Sequence, residues 1–358
     1  MLLELINANL CKRPLNKGLF NGTSEEDWQR CFDMALQQNV LAMTFSAMSS
    51  LPKELRPSFT LWSKWMAYAQ SIAEQNQYKR EVAKRLGSWL AEDGLSTTIL
   101  KGFSLSALYP NPILREFSDI DIFSGKDYDA VNACFAKHGN KVGSVDGHHA
   151  YLKVDGISVE HHFAFSNTKV KGGLSGPEEA LQRLVVTDPQ PTSMAGICFP
   201  NPSFTALFVG WHAYEHFLQE KIELRHVIDW ALALRQLSEK ESVELNEIKR
   251  DTRWGRFADT MTSIAIYEMG VPQKWCAEKD YELAASISEE QMKRVWNDII
   301  NAPRTPEGKT SNHRRLKIAH RMLKNNWKYK VYSDISASIF LMKEFVGHVR
   351  GRSLTFNH

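Results

Sequence analysis

The stretch from Thr97 to Phe123 constrains the fold most tightly. It reads as a strand (Thr97 to Leu100), a Lys101-Gly102 turn, a short helix (Phe103 to Leu108), a loop (Pro110 to Ser118) and a second strand (Asp119 to Phe123). Such rapid alternation commits this part of the chain to a compact α/β unit. In the second strand Asp119 and Asp121 flank Ile120. Strand side chains alternate with period two, so these carboxylates share one face while Ile120 and Ile122 turn toward the core. Hard oxygens on a rigid strand suit Mg²⁺, with Mn²⁺ as its substitute; such ions take a few carboxylates and fill their other positions with water and phosphate oxygens. A glycine turn opening a helix presents unpaired backbone N–H groups, which bind phosphate.

A third carboxylate follows. Ala150 to Lys153 and Ile157 to Phe163 read as a hairpin, with Asp155-Gly156 as its two-residue turn. Glu160 then sits mid-strand and shares a face with Ser158 and His162. Three carboxylates on adjacent strands can hold a two-metal site for phosphoryl-type transfer.

These motifs carry a resemblance. The stretch LKGFSLSALYPNPILREFSDIDIF, followed by YDAVNACFAKHG and ISVEHHFAF, resembles the bacterial nucleotidyltransferase-like family of the polymerase-β superfamily. The matching positions are Lys101, Gly102, Arg115, Asp119, Asp121, Gly139, Glu160 and His162. GWHAYEHFLQEKIELRHVIDWALAL is similar to the helical region of the same family, so the resemblance covers about residues 95–235. Gly102-Phe103-Ser104 stands where the superfamily commonly has Gly-Ser, and Glu160 where Asp is commoner. The resemblance implies transfer of a nucleoside monophosphate from an NTP to a hydroxyl-type acceptor: a small molecule, a sugar or a protein. It implies Asp119, Asp121 and Glu160 as catalytic metal ligands. Lys101, Gly102, Ser104 and Arg115 would bind the nucleotide, the two cations by neutralising phosphate charge.

The expected fold is α+β, a small mixed sheet of nucleotidyltransferase type with helical regions at both ends. Residues 1–92 form the N-terminal helical region, 93–200 the α/β core and 201–358 the C-terminal helical domain. Glu25 to Gln38 has helical spacing with Thr23-Ser24 as its start, and a longer pattern runs from Phe59 to Leu90. Tyr128 to His138 is an amphipathic helix closed by Gly139, and Pro177 to Leu184 is a short helix. Thr187 to Ser193 reads as loop, Asn201-Pro202-Ser203 as a helix start, and Ala302 to Thr310 as a loop.

Composition excludes several classes. Hydrophobic residues make up 43% of 358, enough for a sizeable core, and the net charge of +3 is too small to point to a polyanionic partner. The 5 cysteines are widely spaced without a Cys-x-x-Cys pair, which argues for reduced thiols and a cytoplasmic setting. No apolar run approaches the ~18 residues of a membrane span.

Other features leave alternatives open. His212-Ala213-Tyr214-Glu215-His216 fits the His-x-x-Glu-His zinc signature, so a zinc hydrolase built on His212 and His216 is a minor alternative. A half-buried histidine pair or a nucleotide-touching rim explains the same residues. Arg225 and Asp229 are spaced for a helix salt bridge or an interdomain tie, with a nucleotide contact as a further role for Arg225. Lys309 to Lys330 holds eight Lys or Arg and no acid, interleaved with Trp327 and Tyr329 and followed by Tyr332. It reads as a solvated helix face, as support for an anionic substrate, or as a nucleic-acid surface; no binding motif accompanies the last. The main rival to a transferase is a catalytically inactive nucleotide-binding or interaction module of the same fold.

Overall fold

The protein is described by a computed structural model covering residues 1–145, 148–166, 177–301 and 319–342. The fold is α+β. Six strands form one sheet: β1 Thr97–Ile99, β2 Ile120–Phe123, β3 His149–Val154, β4 Ile157–His162, β5 Gln190–Pro191 and β6 Ile197–Phe199, in the order β3-β4-β2-β1-β6-β5. The sheet is mixed. β1 runs antiparallel to β2 and parallel to β6, while β2 runs parallel to β4.

Four helices precede the sheet: α1 Leu2–Leu10, α2 Glu25–Gln37, α3 Leu41–Met48 and α4 Phe59–Glu92. Ser24 caps α2 through a reciprocal pair with Asp27, which satisfies two orphan N–H groups of its first turn. α5 (Phe103–Ser106) and α6 (Tyr128–Lys137) lie between strands, and α7 (Glu178–Val185) leads to β5. The C-terminal region opens with α8 (Pro202–Gln219), capped by Asn201, and continues through α9 (Leu224–Leu234), α10 (Glu239–Lys249), α11 (Arg253–Ser263), α12 (Glu278–Ala285) and α13 (Glu289–Asn301).

Two apolar clusters hold these layers. One joins the N-terminal helices to the C-terminal ones through Trp28, Trp65, Trp211, Trp230 and Phe257. The other lies under the sheet and unites Ile120, Ile122 and Val159 with Val131 and Phe135 of α6. The long helix α4 serves both, with Leu61 and Trp65 in the first and Val82, Leu86 and Leu90 in the second. Gly87 makes this possible: a Cβ there would stand 2.1 Å from the carbonyl oxygen of Ala195, so only glycine lets α4 approach the turn before β6.

Three expectations change. β2 begins at Ile120, leaving Asp119 in the preceding loop. The 187–193 stretch is not wholly loop, because Gln190–Pro191 pairs antiparallel with β6. Propensity speaks against a proline there, but β5 ends the sheet, where a missing donor costs no ladder bond. The hairpin is as expected: Asp155 and Gly156 both adopt positive φ (50° and 80°), as a two-residue turn of matching twist requires. The 302–310 loop and the 309–318 part of the basic stretch lie outside the described residues. In the remainder, Lys328 is buried against Asp298 at 2.6 Å, and Tyr329 and Tyr332 are buried too. Those tyrosines are core, unavailable for stacking on bases.

Candidate active site

Strand alternation builds the floor of the site. Ile120 and Ile122 enter the cluster beneath the sheet, so Asp121 faces the opposite side. Its register partner on β4 is Glu160, and Phe123 is aligned with His162. The parallel β2–β4 pairing thus sets the two carboxylates side by side. The same alternation divides two neighbouring histidines. His161 turns under the sheet, bonded to Asn132 at 2.7 Å and Ser124 at 3.1 Å, and burial depresses its pKa to about 3. His162 turns to the carboxylates.

Asp121 is fully buried. Its Oδ1 lies 3.1 Å from both Lys101 Nζ and His162 Nε2, whereas Oδ2 has no hydrogen-bond partner. His162 is 3.7 Å from Glu160 Oε2. Burial disfavours the charge of His162, but its bonds to Asp121 and Glu160 outweigh that and raise its pKa to about 9. Lys101 follows the same logic: burial opposes its charge, and the fields of Asp121, Asp119 and Glu160 more than restore it, leaving its pKa raised. Glu160 is held below the usual carboxylate range. Burial pushes it up, while His162 and Lys101 pull it further down. Carboxylates and cations here neutralise one another in a low-dielectric setting.

The floor opens into a cavity of about 780 Å³, of a size suited to small-molecule ligands. Lys101, Gly102, Asp119, Glu160 and His162 line the sheet side, and His212, His216, Lys221, Arg225 and His226 line the helical side. Gly102 turns the chain with φ +62°, and a Cβ there would sit 3.2 Å from the Phe117 ring. α4 fixes the loop leading to Asp119: Asn76 Nδ2 donates to the carbonyls of Ile113 and Arg115 (2.8 Å each), and Lys79 bonds the carbonyl of Phe117.

Arg115 is buried at the cavity wall, where its guanidinium grips Asp229 of α9 at 2.8 and 2.6 Å and donates to the Gly102 carbonyl at 3.1 Å. Arg225 forms the expected i,i+4 ion pair with Asp229, at 3.9 Å, alongside the closer grip of Arg115. Ser104 is buried and does not line the cavity, its hydroxyl unpartnered. Charged side chains are driven to partners within the fold before any ligand arrives, and spacing along the chain cannot reveal which.

Among the described residues, two groups of three side chains bring ligating atoms within 4.8 Å of one another: Asp121, Glu160 and His162, and His148, His149 and His162. Asp119 stands apart, at the cavity wall. His212 and His216 are neighbours on α8 with ring centroids 4.5 Å apart, but belong to neither group. The donor set at Asp121 and Glu160 fits a hard divalent cation, and the unpartnered, buried Oδ2 of Asp121 is what such an ion would satisfy.

The sequence model of a family described as uncharacterised nucleotidyltransferase matches residues 24–266. The chain belongs to this family. No curated protein matches it. It is similar to two solved structures. One is the crystal structure of ANT(2")-Ia in complex with adenylyl-2"-tobramycin: 12% identity, TM-score 0.35, 49% of this chain and 97% of that one. The other is the solution structure of the antibiotic-resistance factor ANT(2'')-Ia: 13% identity, TM-score 0.35, 51% and 95%. As a nucleotidyltransferase family member the chain carries all its matched motifs within residues 24–266, and these include every residue of the cavity floor. No described helix is long and apolar enough to cross a membrane.

His148 and His149 escaped the sequence reading. A signal existed, because a two-residue turn at Asp155-Gly156 pairs Val154 with Ile157 and, counting outward, His149 with His162.

Proposed function

We propose that this protein transfers a nucleoside monophosphate from an NTP to a hydroxyl-bearing acceptor, a small molecule, sugar or protein, and releases pyrophosphate. The observation that carries the reading is the Asp121–Glu160 pair, aligned on adjacent strands, with Glu160 lining the cavity, Asp121 buried beside it and one oxygen of Asp121 unpartnered. Asp119, Asp121 and Glu160 would hold Mg²⁺ or Mn²⁺. The chemistry such ions supply is neutralisation of charge on the phosphate oxygens and on the departing pyrophosphate.

The chain's own groups do the rest. Glu160, ionised at neutral pH, accepts the proton of the acceptor hydroxyl as its oxygen bonds to the α-phosphorus and the bond to pyrophosphate breaks. Lys101 offers its ammonium to the phosphates, and the Gly102 turn offers backbone N–H groups. Arg115 positions rather than binds: its bond to the Gly102 carbonyl ties the turn to α9. Lys221 and Arg225 stand on the opposite wall, both beside Glu223 (3.6 and 3.7 Å).

One observation favours the non-catalytic reading as the second choice: Lys101 already neutralises Asp121. Incubating the protein with each α-labelled NTP, Mg²⁺ and extract of its own cells separates the two. Transfer of label to an acceptor supports the transferase; nucleotide binding without transfer, for every NTP, leaves the binding module.

A further inference from the structure

Beside the carboxylates lies a second donor set that the transfer reaction does not use. His149 and His162 are directly opposite on the antiparallel β3–β4 pair. Their ring centroids are 5.0 Å apart, and both side chains are buried. His148 lies just before β3. Adjacent residues within a strand point to opposite faces, but His148 has left the extended geometry, and its ring reaches the same side as His149, 4.4 Å away and 5.6 Å from His162.

The arrangement is anchored. The His148 carbonyl accepts bonds from the N–H groups of both Phe163 (3.0 Å) and Ala164 (3.1 Å), which locks the entry of β3 to the exit of β4. His162 is steadied through Nδ1, 3.3 Å from the Ala164 carbonyl, the kind of backbone contact that orients metal-ligating imidazoles. One ring nitrogen from each of the three histidines lies within 4.8 Å of the other two. Glu160 Oε2 is 3.9 Å from His149 Nε2, so the carboxylate floor borders the histidine cluster.

We propose that His148, His149 and His162 form a binding site for a borderline-soft divalent cation, of which Zn²⁺ is the natural representative, distinct from the hard-oxygen site at Asp119, Asp121 and Glu160. Imidazole nitrogens select Zn²⁺, Co²⁺ or Ni²⁺ over Mg²⁺, and three of them with an open fourth position match the common coordination of Zn²⁺. The two sites share His162, whose Nε2 now faces Asp121. An ion held by the histidines therefore competes with the carboxylate floor for that ring, and Zn²⁺ becomes a modulator of the adjacent site.

The test is titration of the chelator-stripped full chain with Co²⁺, followed by visible d–d absorption, with Zn²⁺ as competitor. The expected result is one equivalent bound, displaced by Zn²⁺ and not by Mg²⁺, and weakened at least ~10-fold in both His148→Ala and His149→Ala. Asp119→Asn should leave it unchanged. Thermal melts without metal check folding, and His149→Gln, which keeps a polar group of similar reach, replaces any alanine variant that melts early. Co²⁺ binding that survives both histidine substitutions overturns the proposal. Binding lost in Asp119→Asn but kept in the histidine variants overturns it too, while leaving the carboxylate reading intact. Histidine-dependent Co²⁺ binding in a protein that transfers no nucleotide supports this site and counts against the transferase alone.

Discussion

Arg115 and Asp229 stand 114 residues apart in sequence and meet in a buried, two-bond ion pair, Nε to Oδ1 at 2.8 Å and Nη2 to Oδ2 at 2.6 Å. Tyr109 adds a third bond to the same carboxylate at 2.7 Å. The pair welds the loop before the carboxylate strand to α9. The charge of Arg115 is retained because Asp229 and Tyr109 outweigh the cost of burial.

Breaking this pair from one side should be costly. Arg115→Ala leaves a buried carboxylate uncompensated, and the expected loss is about 3–5 kcal/mol. Arg115→Lys should recover little, because a lysine cannot reproduce the planar two-bond grip. Urea unfolding of the variants checks this, with Arg115→Met/Asp229→Leu expected to be more stable than either single change. A loss under ~0.5 kcal/mol for Arg115→Ala would show that the pair contributes only at the surface level.

Gly102→Ala should disturb the turn twice over. An alanine at φ +62°, ψ −88°, a sparsely populated region outside the left-handed helical well, costs about 1–3 kcal/mol, and its Cβ would press on the Phe117 ring at 3.2 Å. Thermal melts should show the loss, and nucleotide affinity measured by calorimetry should fall with it. Wild-type affinity and stability together would remove Gly102 from the site.

Asp121→Asn should lower nucleotide transfer on the order of 10³-fold, since charge stabilisation of several kcal/mol is at stake and each ~1.4 kcal/mol is tenfold. Carboxylates clustered alone would repel, and removing one would stabilise the fold. Here Lys101 and His162 reverse that sign, because both lose a charged partner. The variant should therefore be less stable by ~2 kcal/mol, the scale of a hydrogen bond to a charged group. A rise in melting temperature would contradict the pairing.

The helical wall should make the protein sensitive to acid. Burial, reinforced by Lys101 and Arg225, keeps His216 neutral with its pKa depressed to about 4, and burial likewise depresses His212 and His226 well below the ordinary value. These folded-state values lie below the ordinary ~6.5 of an unfolded chain. Below that pH the unfolded state takes up protons that the folded state refuses, so the contribution of these three histidines is full above pH ~6.5 and falls as pH drops toward 4. His162, raised to about 9, acts in the opposite sense as pH rises above ~6.5. Melting curves at pH 7.5, 6.5 and 5.5 should show the decline, and His216→Gln should flatten part of it. A melting temperature constant across that range would exclude the effect.

Local signals in the sequence determined most of the elements. Ser24, Asn201, Gly139 and the Asp155-Gly156 turn mark starts, stops and a register through short-range hydrogen bonding and backbone sterics, which act over a few residues and need no knowledge of the fold. The period-two spacing of Asp119 and Asp121 likewise marks one face of a strand, though it does not show that Asp119 falls just outside it. What required the tertiary structure was the partner of each charge. Arg115 carries the same residue type and spacing whether it serves phosphate or Asp229, and Lys328 the same whether it coats a surface or fills a core. Burial decides between these roles, because a desolvated charge must be paired within the fold. For Arg115 the partner comes from a segment over a hundred residues away, which apolar packing brings alongside it.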